Sequence, residues 1–246
     1  MTSLLTSSVP ATPDLRAVLF DMDGTLVETE QYWGEAMFEL AATLGGRMSD
    51  EARAATVGTS MRVAMGILYA DLGIQRTEDE LRVDSAWVEE ETGRMLAQGV
   101  VWRPGARELI TAVRAAGVRT ALVTTTPRYL ADLVLAHIAQ AFPDGAFDVT
   151  VCGDEVPARK PDPAPYRQAM AALDVEPEQC VVVEDSAAGI ASGLAAGAAV
   201  LGVPTMQAVV PAPGLTLRPG LEGVGVPELV EMLTARPWAP AGVVAG

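Results

Sequence analysis

From Asp14 onward, short apolar runs rich in valine and leucine alternate with longer, alanine-rich segments whose apolar positions recur at helical spacing. Runs that are apolar at every position suit strands covered on both faces, and amphipathic segments between them suit the crossovers that parallel strands need. The strand candidates are Arg16–Asp21, Val118–Thr124, Asp148–Cys152, Cys180–Glu184 and Ala199–Val203. Between them, Gly105–Ala116 carries Leu109 and Val113 on one helical face and stops at Gly117. Pro163–Leu173 opens with proline and spaces Tyr166, Met170 and Leu173 for a second crossover helix.

The stretch from Thr29 to Val100 breaks the alternation. It is helix-like almost throughout, with Met65, Leu68, Tyr69 and Leu72 on one stripe and no convincing strand, and it is too long for an ordinary crossover. The pattern predicts an α/β fold: a Rossmann-like parallel sheet with helices on both faces, formed by residues 14–28 and 101–235, with an all-helical cap inserted at 29–100. The ends, 1–13 and 236–246, are polar or Pro/Gly-rich and read as loose tails.

Half of the 246 residues are hydrophobic, enough for a sizeable core. Thirty-two acidic residues against 17 basic ones give a formal charge of -15, and no dense Lys/Arg run is present to track a phosphate backbone, so nucleic acid is not an expected partner. Met1–Pro13 lacks the basic start and sustained apolar run of a signal peptide, and every apolar segment is interrupted by Gly, Pro or charge within about a dozen residues, short of a membrane span. A soluble cytoplasmic protein is expected, with no membrane partner; its oligomeric state is not legible. Cys152 and Cys180 border apolar runs and read as buried free thiols. The only histidine, His137, has no paired nucleophile or second ligand near it, which argues against a serine hydrolase or a histidine-based zinc site.

The chemistry concentrates where apolar runs end. In Ala17-Val-Leu-Phe-Asp21-Met-Asp23-Gly24-Thr25-Leu26, two carboxylates stand at the end of a buried strand before a glycine turn. Open α/β sheets bind ligands beyond the carboxyl ends of their strands. There Asp21 can attack phosphorus to form an aspartyl phosphate, while Asp23 protonates the leaving oxygen and later activates water. A simple Asp-Gly turn is the plainer reading of two such residues, but it leaves the whole Asp-x-Asp-Gly-Thr pattern after four apolar residues unaccounted for.

That pattern resembles the opening motif of the haloacid dehalogenase-like superfamily, and the rest of the chain follows in the family's order. Ala121-Leu-Val-Thr124-Thr125-Thr126 is similar to its second motif, a hydroxyl residue at a strand end; the resemblance implies that Thr124 donates to the transferring phosphoryl oxygens, with Thr125 beside it as a substrate contact. Arg159-Lys160-Pro161-Asp162-Pro163 resembles its Lys-Pro-x-Pro loop, in which the Lys160 ammonium would neutralise both nucleophile and phosphoryl group. Val181-Val-Val-Glu184-Asp185-Ser186 resembles the acidic fourth motif. By that likeness magnesium would be held by the Asp21 carboxylate, the Asp23 backbone carbonyl, Glu184 and Asp185, one of the last two acting through water. Asp185 or Ser186 would also cap a helix whose Ile190 and Leu194 face the sheet. The likeness spans Arg16 to about Gly202, including a Trp102-Arg103-Pro104-Gly105 re-entry from the helical cap.

The resemblance implies a magnesium-dependent phosphatase of the helical-cap, β-phosphoglucomutase-like subgroup, acting on a small phosphorylated metabolite of sugar type. Arg62, near the start of a cap helix, is the candidate for a distal anionic group of substrate, with a solvent-facing role as the alternative. A sugar-phosphate mutase shares these motifs and stays open as the rival. Carbon–halogen displacement would need neither Asp23 nor the Glu184-Asp185 pair, and a non-catalytic scaffold would be expected to have lost catalytic positions, none of which is missing.

Overall fold

The computed structural model describes residues 14–57, 59–204 and 209–235. The tails expected at 1–13 and 236–246 lie outside the described residues.

Among the described residues, six parallel strands form the main sheet: β1 (Ala17–Phe20), β4 (Arg119–Val123), β5 (Val149–Val151), β6 (Cys180–Glu184), β7 (Ala199–Gly202) and β8 (Leu215–Leu217), in the spatial order β5-β4-β1-β6-β7-β8. β1 is central, and its register sets Phe20 beside both Leu122 and Val183. The residues that follow each of these three strands therefore emerge on one edge.

The apolar runs are explained by two cores, one on each face. Val18, Phe20, Leu122 and Val183 point to one side, where α5 (Ala106–Ala115), α6 (Arg128–Ala141) and α9 (Val226–Thr234) bring Leu109, Ile110, Val134 and Leu229. Their neighbours Leu19, Val123 and Val182 point to the other, against Tyr166 and Met170 of α7 (Ala164–Leu173) and Ile190 of α8 (Ala187–Ala196). All four residues of β1 are fully buried, at roughly 1.5–3 kcal/mol for each large apolar side chain so covered.

Four helices separate β1 from the rest of the sheet: α1 (Glu30–Thr43), α2 (Asp50–Thr56), α3 (Met61–Leu72) and α4 (Glu78–Leu96). They pack around a cluster of their own, including Met37, Leu40, Met65, Leu68 and Val88. Ser49 and Ser60 cap α2 and α3, and Thr77 with Glu80 forms a reciprocal capping box at α4, so three helix starts have their free N–H groups met locally. Inside, Asp84 accepts both Nε and Nη2 of Arg76 at 2.9 Å and the Tyr69 hydroxyl at 2.8 Å, fixing α3 against α4. The chain enters and leaves this lid through a short antiparallel ribbon, β2 (Val27–Glu28) paired with β3 (Val101–Trp102), and Arg103 pairs with Glu28 across its base.

The α/β architecture is that expected. The ribbon, β8 and α9 are additions to the elements read from the sequence. Cys152 and Cys180 are buried and unpaired, and burial pushes both thiols up to about 12, far from nucleophilic. His137 takes a structural contact, its Nε2 lying 3.1 Å from the Leu96 carbonyl. No helix among the described residues is long and apolar enough to cross a membrane.

Candidate active site

The shared strand edge brings Asp21, Asp23, Lys160, Glu184 and Asp185 together. Lys160, in the loop before α7, reaches back under β1 and donates to Asp21 Oδ1 at 2.6 Å, Glu184 Oε1 at 2.6 Å and the Val123 carbonyl at 2.8 Å. Only 3% of its side chain is exposed. Burial opposes its charge, but the two carboxylates more than restore it and the net shift is upward. Glu184 is wholly buried and engaged at both oxygens: Lys160 and the Tyr166 hydroxyl (2.7 Å) meet Oε1, while the Ser186 N–H (3.2 Å) and hydroxyl (3.0 Å) meet Oε2. It lies so close to the first turn of α8 that a Cβ on Gly189 would sit 1.8 Å from Oε1. The Ser186 hydroxyl also caps that turn, accepting from the Gly189 N–H at 3.0 Å.

Carboxylates outnumber the ammonium here. Oxygens of Asp21, Glu184 and Asp185 approach within 4.8 Å of one another. Burial first, then the Glu184 carboxylate, push the Asp21 carboxyl well above its usual range, with Lys160 pulling the other way. The same two causes raise Asp185 to about 7, against the opposing hydrogen bond from the Thr25 hydroxyl at 3.0 Å. Three acids sharing one ammonium in a desolvated pocket hold excess negative charge, which protonation or a bound cation relieves. An all-oxygen carboxylate set fits a hard divalent ion.

Asp23 lies in the turn after β1, where its carboxylate accepts three hydroxyls: Thr29 at 2.6 Å on Oδ1, and Thr124 and Thr126 at 3.0 and 2.8 Å on Oδ2. Thr124, buried at the end of β4, meets Asp23 through its hydroxyl, which orients that carboxylate. Thr125 and Thr126 do line the cavity above the strand ends.

That cavity encloses about 290 Å³ between strand ends and lid. Asp21, Asp23, Lys160, Arg159 and Asp185 line it from the core; Glu30, Trp33, Met37, Arg53, Met61 and Glu89 are among its lid residues. Arg62 is not among the lining residues. Its guanidinium lies on the outer surface, two-thirds exposed, clasped by Glu78, because the Ser60 cap starts α3 with Met61 facing inward and Arg62 one residue further round. Among the described lid residues, Arg53 of α2 is the arginine that lines the cavity.

Sequence reasoning missed Arg53, Thr29, Thr126, Ser186 and Tyr166 as parts of the site. Thr126 carried a signal, standing two residues beyond Thr124 in a run of threonines. Tyr166 was read only as an apolar face of its helix; the face is right, and the hydroxyl at its end adds the bond to Glu184. Nothing local marked Arg53.

Comparison with known proteins gives the family. The chain is 34% identical over 183 residues to a phosphorylated carbohydrates phosphatase of Thermotoga maritima, covering 74% of this chain and 82% of that one. It is 33% identical to the CbbY protein of Rhodobacter capsulatus, over 78% and 86% of the two chains. Its fold matches the crystal structure of a CbbY mutant from Rhodobacter sphaeroides in complex with xylulose-(1,5)bisphosphate, with a TM-score of 0.70 at 29% identity over 87% and 99% of the chains. The model of the haloacid dehalogenase-like hydrolases matches residues 15–197, and with motif order, strand-end clustering and helical insert all in accord, the chain belongs to the haloacid dehalogenase-like hydrolase family.

Proposed function

We propose that the protein is a magnesium-dependent phosphatase that hydrolyses a small, sugar-type phosphomonoester through an aspartyl phosphate on Asp21. The observation that carries this reading is the Asp21 carboxylate at the cavity floor, held at 2.6 Å by a buried lysine and beside a second aspartate held by three hydroxyls. Relatives named for dephosphorylating carbohydrates support the substrate class. The two buried, unpaired cysteines suit a reducing compartment, consistent with work in the cytoplasm on a soluble metabolite.

An Asp21 oxygen attacks phosphorus as the bond to the leaving oxygen breaks, and protonated Asp23 delivers its proton to that oxygen. Water then attacks the phosphorus of the aspartyl phosphate, giving its proton to Asp23, and inorganic phosphate leaves as the Asp21 carboxylate is regenerated. Lys160 keeps the nucleophile aimed and offsets phosphoryl charge. The Thr29, Thr124 and Thr126 hydroxyls fix the carboxyl that moves the proton. Magnesium would be held by Asp21 and Asp185 with the Asp23 carbonyl, and by Glu184 through water since both its oxygens are engaged; when bound it supplies positive charge to the phosphoryl oxygens.

A phosphate-release screen over sugar phosphates, phosphoglycolate, nucleotides and glycerol phosphates, with and without magnesium, tests this. Magnesium-dependent release from sugar phosphates is expected. Isomerisation of a sugar phosphate without release would instead establish the mutase.

A further inference from the structure

The lid wall of the cavity carries its positive charge on Arg53, and that charge is already answered. Nη2 donates to the Glu30 carboxylate at 3.0 Å and to the Glu30 carbonyl at 2.7 Å, and Nη1 donates to the Thr56 hydroxyl at 3.0 Å. The pair is well sheltered, with side chains 16% and 25% exposed. Its seat is cut into α1: a Cβ on Gly34 would lie 2.5 Å from Arg53 Nε, so only glycine lets the guanidinium lie against that helix. Glycine in mid-helix costs about 1 kcal/mol relative to alanine. A second lid carboxylate in the lining, Glu89, accepts the Tyr129 hydroxyl at 2.6 Å. Among the described residues, two acids against one arginine leave the lid's share of the lining net negative. The other guanidinium in the lining, Arg159, belongs to the core beside Lys160, where its Nε donates to the Gly153 carbonyl at 2.8 Å.

We infer that the Arg53–Glu30 pair selects the non-reacting end of the substrate, accepting a neutral, hydroxyl-bearing carbon chain and refusing a second phosphate; this rests on the phosphatase reading above and deepens it. A hydroxyl both accepts and donates, so a diol satisfies the arginine and the carboxylates together. A phosphate dianion only accepts, finds its one lid cation compensated, and meets two carboxylates of its own sign.

The test measures affinity without turnover. In an Asp21→Asn background with magnesium present, calorimetry compares glucitol monophosphate, glucitol bisphosphate and inorganic phosphate. The monophosphate should bind at least ~10-fold more tightly than the bisphosphate, the scale of one charged hydrogen bond and the repulsion it avoids. Glu30→Gln, which strips the compensating charge, should shift that ratio toward the bisphosphate by ~10-fold or more. Gly34→Ala should weaken the monophosphate several-fold by displacing the guanidinium, while its better helix propensity keeps the fold. Inorganic phosphate, which reads the floor alone, should bind equally in all three. Equal or tighter binding of the bisphosphate, absence of monophosphate binding, or a ratio unmoved by Glu30→Gln overturns the inference. Failure of the unaltered enzyme to release phosphate from any monoester counts separately, against the phosphatase reading.

Discussion

On the cavity floor, Lys160 and Glu184 have side chains 3% and 0% exposed and several partners each; on the outer face of the lid, Arg62 and Glu78 form an ion pair with side chains 66% and 75% exposed. Both are salt bridges, yet their weight differs. Water screens the lid pair, so removing either partner leaves the other solvated. The floor pair is desolvated and tied to strands on either side of Asp21, so the loss of one member strands the others. Charge on the floor is fixed by several buried partners, and charge on the lid's outer face is held by a single exposed one.

The strongest challenge to that contrast is Asp21→Asn. It should lower turnover at least about 10⁴-fold, as loss of a nucleophile does, while circular dichroism and melting temperature show an intact fold. Substantial turnover by the folded variant would remove Asp21 from its role. Next, Lys160→Met should cost about 10³-fold in kcat/KM. It should also destabilise the chain by about 3–5 kcal/mol in denaturant titration, because Asp21 and Glu184 lose their shared partner. A stable, inactive variant would make the lysine catalytic but not structural.

Asp23→Asn keeps the backbone carbonyl and should preserve magnesium affinity, yet slow single-turnover transfer from a sugar phosphate by about 10²-fold or more. p-Nitrophenyl phosphate, whose leaving group needs little protonation, should suffer less. Equal slowing of both substrates would exclude Asp23 as the acid. Replacing Glu184 and Asp185 together by alanine should weaken magnesium binding by calorimetry at least about 10-fold. At the small end, Arg62→Ala should leave kcat/KM within about twofold, since it touches only an exposed pair. A large loss there would mean that the lid's outer face enters the site.

The same contrast governs what is legible in the sequence. Asp21, Glu184 and Lys160 were legible because each abuts an apolar run or a proline-fixed loop, and parallel strands in register bring such ends to one edge. Direction within the lid was not legible. Arg62 and Arg53 sit on neighbouring helical stretches; Arg53 turns inward where Gly34 leaves room for it against α1, and Arg62 turns outward because the Ser60 cap starts α3 with Met61 facing the cavity. The ribbon of Val27–Glu28 with Val101–Trp102 escaped because two residues per strand cannot show a period, and Leu215–Leu217 because an edge strand of three half-exposed residues carries no continuous apolar signal. The Thr29 contact to Asp23 joins the start of the lid to the core turn, a pairing set by tertiary structure alone.

The missing side chain at Gly189 is, in evolutionary terms, a lock. Because Glu184 fills the volume that any Cβ there would take, a lineage that acquired even alanine at 189 would have to move the carboxylate and, with it, the lysine and tyrosine that hold it. Drift is closed at that point of the floor. It stays open across the lid, where changing the partners of one arginine alters which molecules are welcomed without disturbing what is done to them, so new substrates can be sampled while the reaction is inherited unchanged.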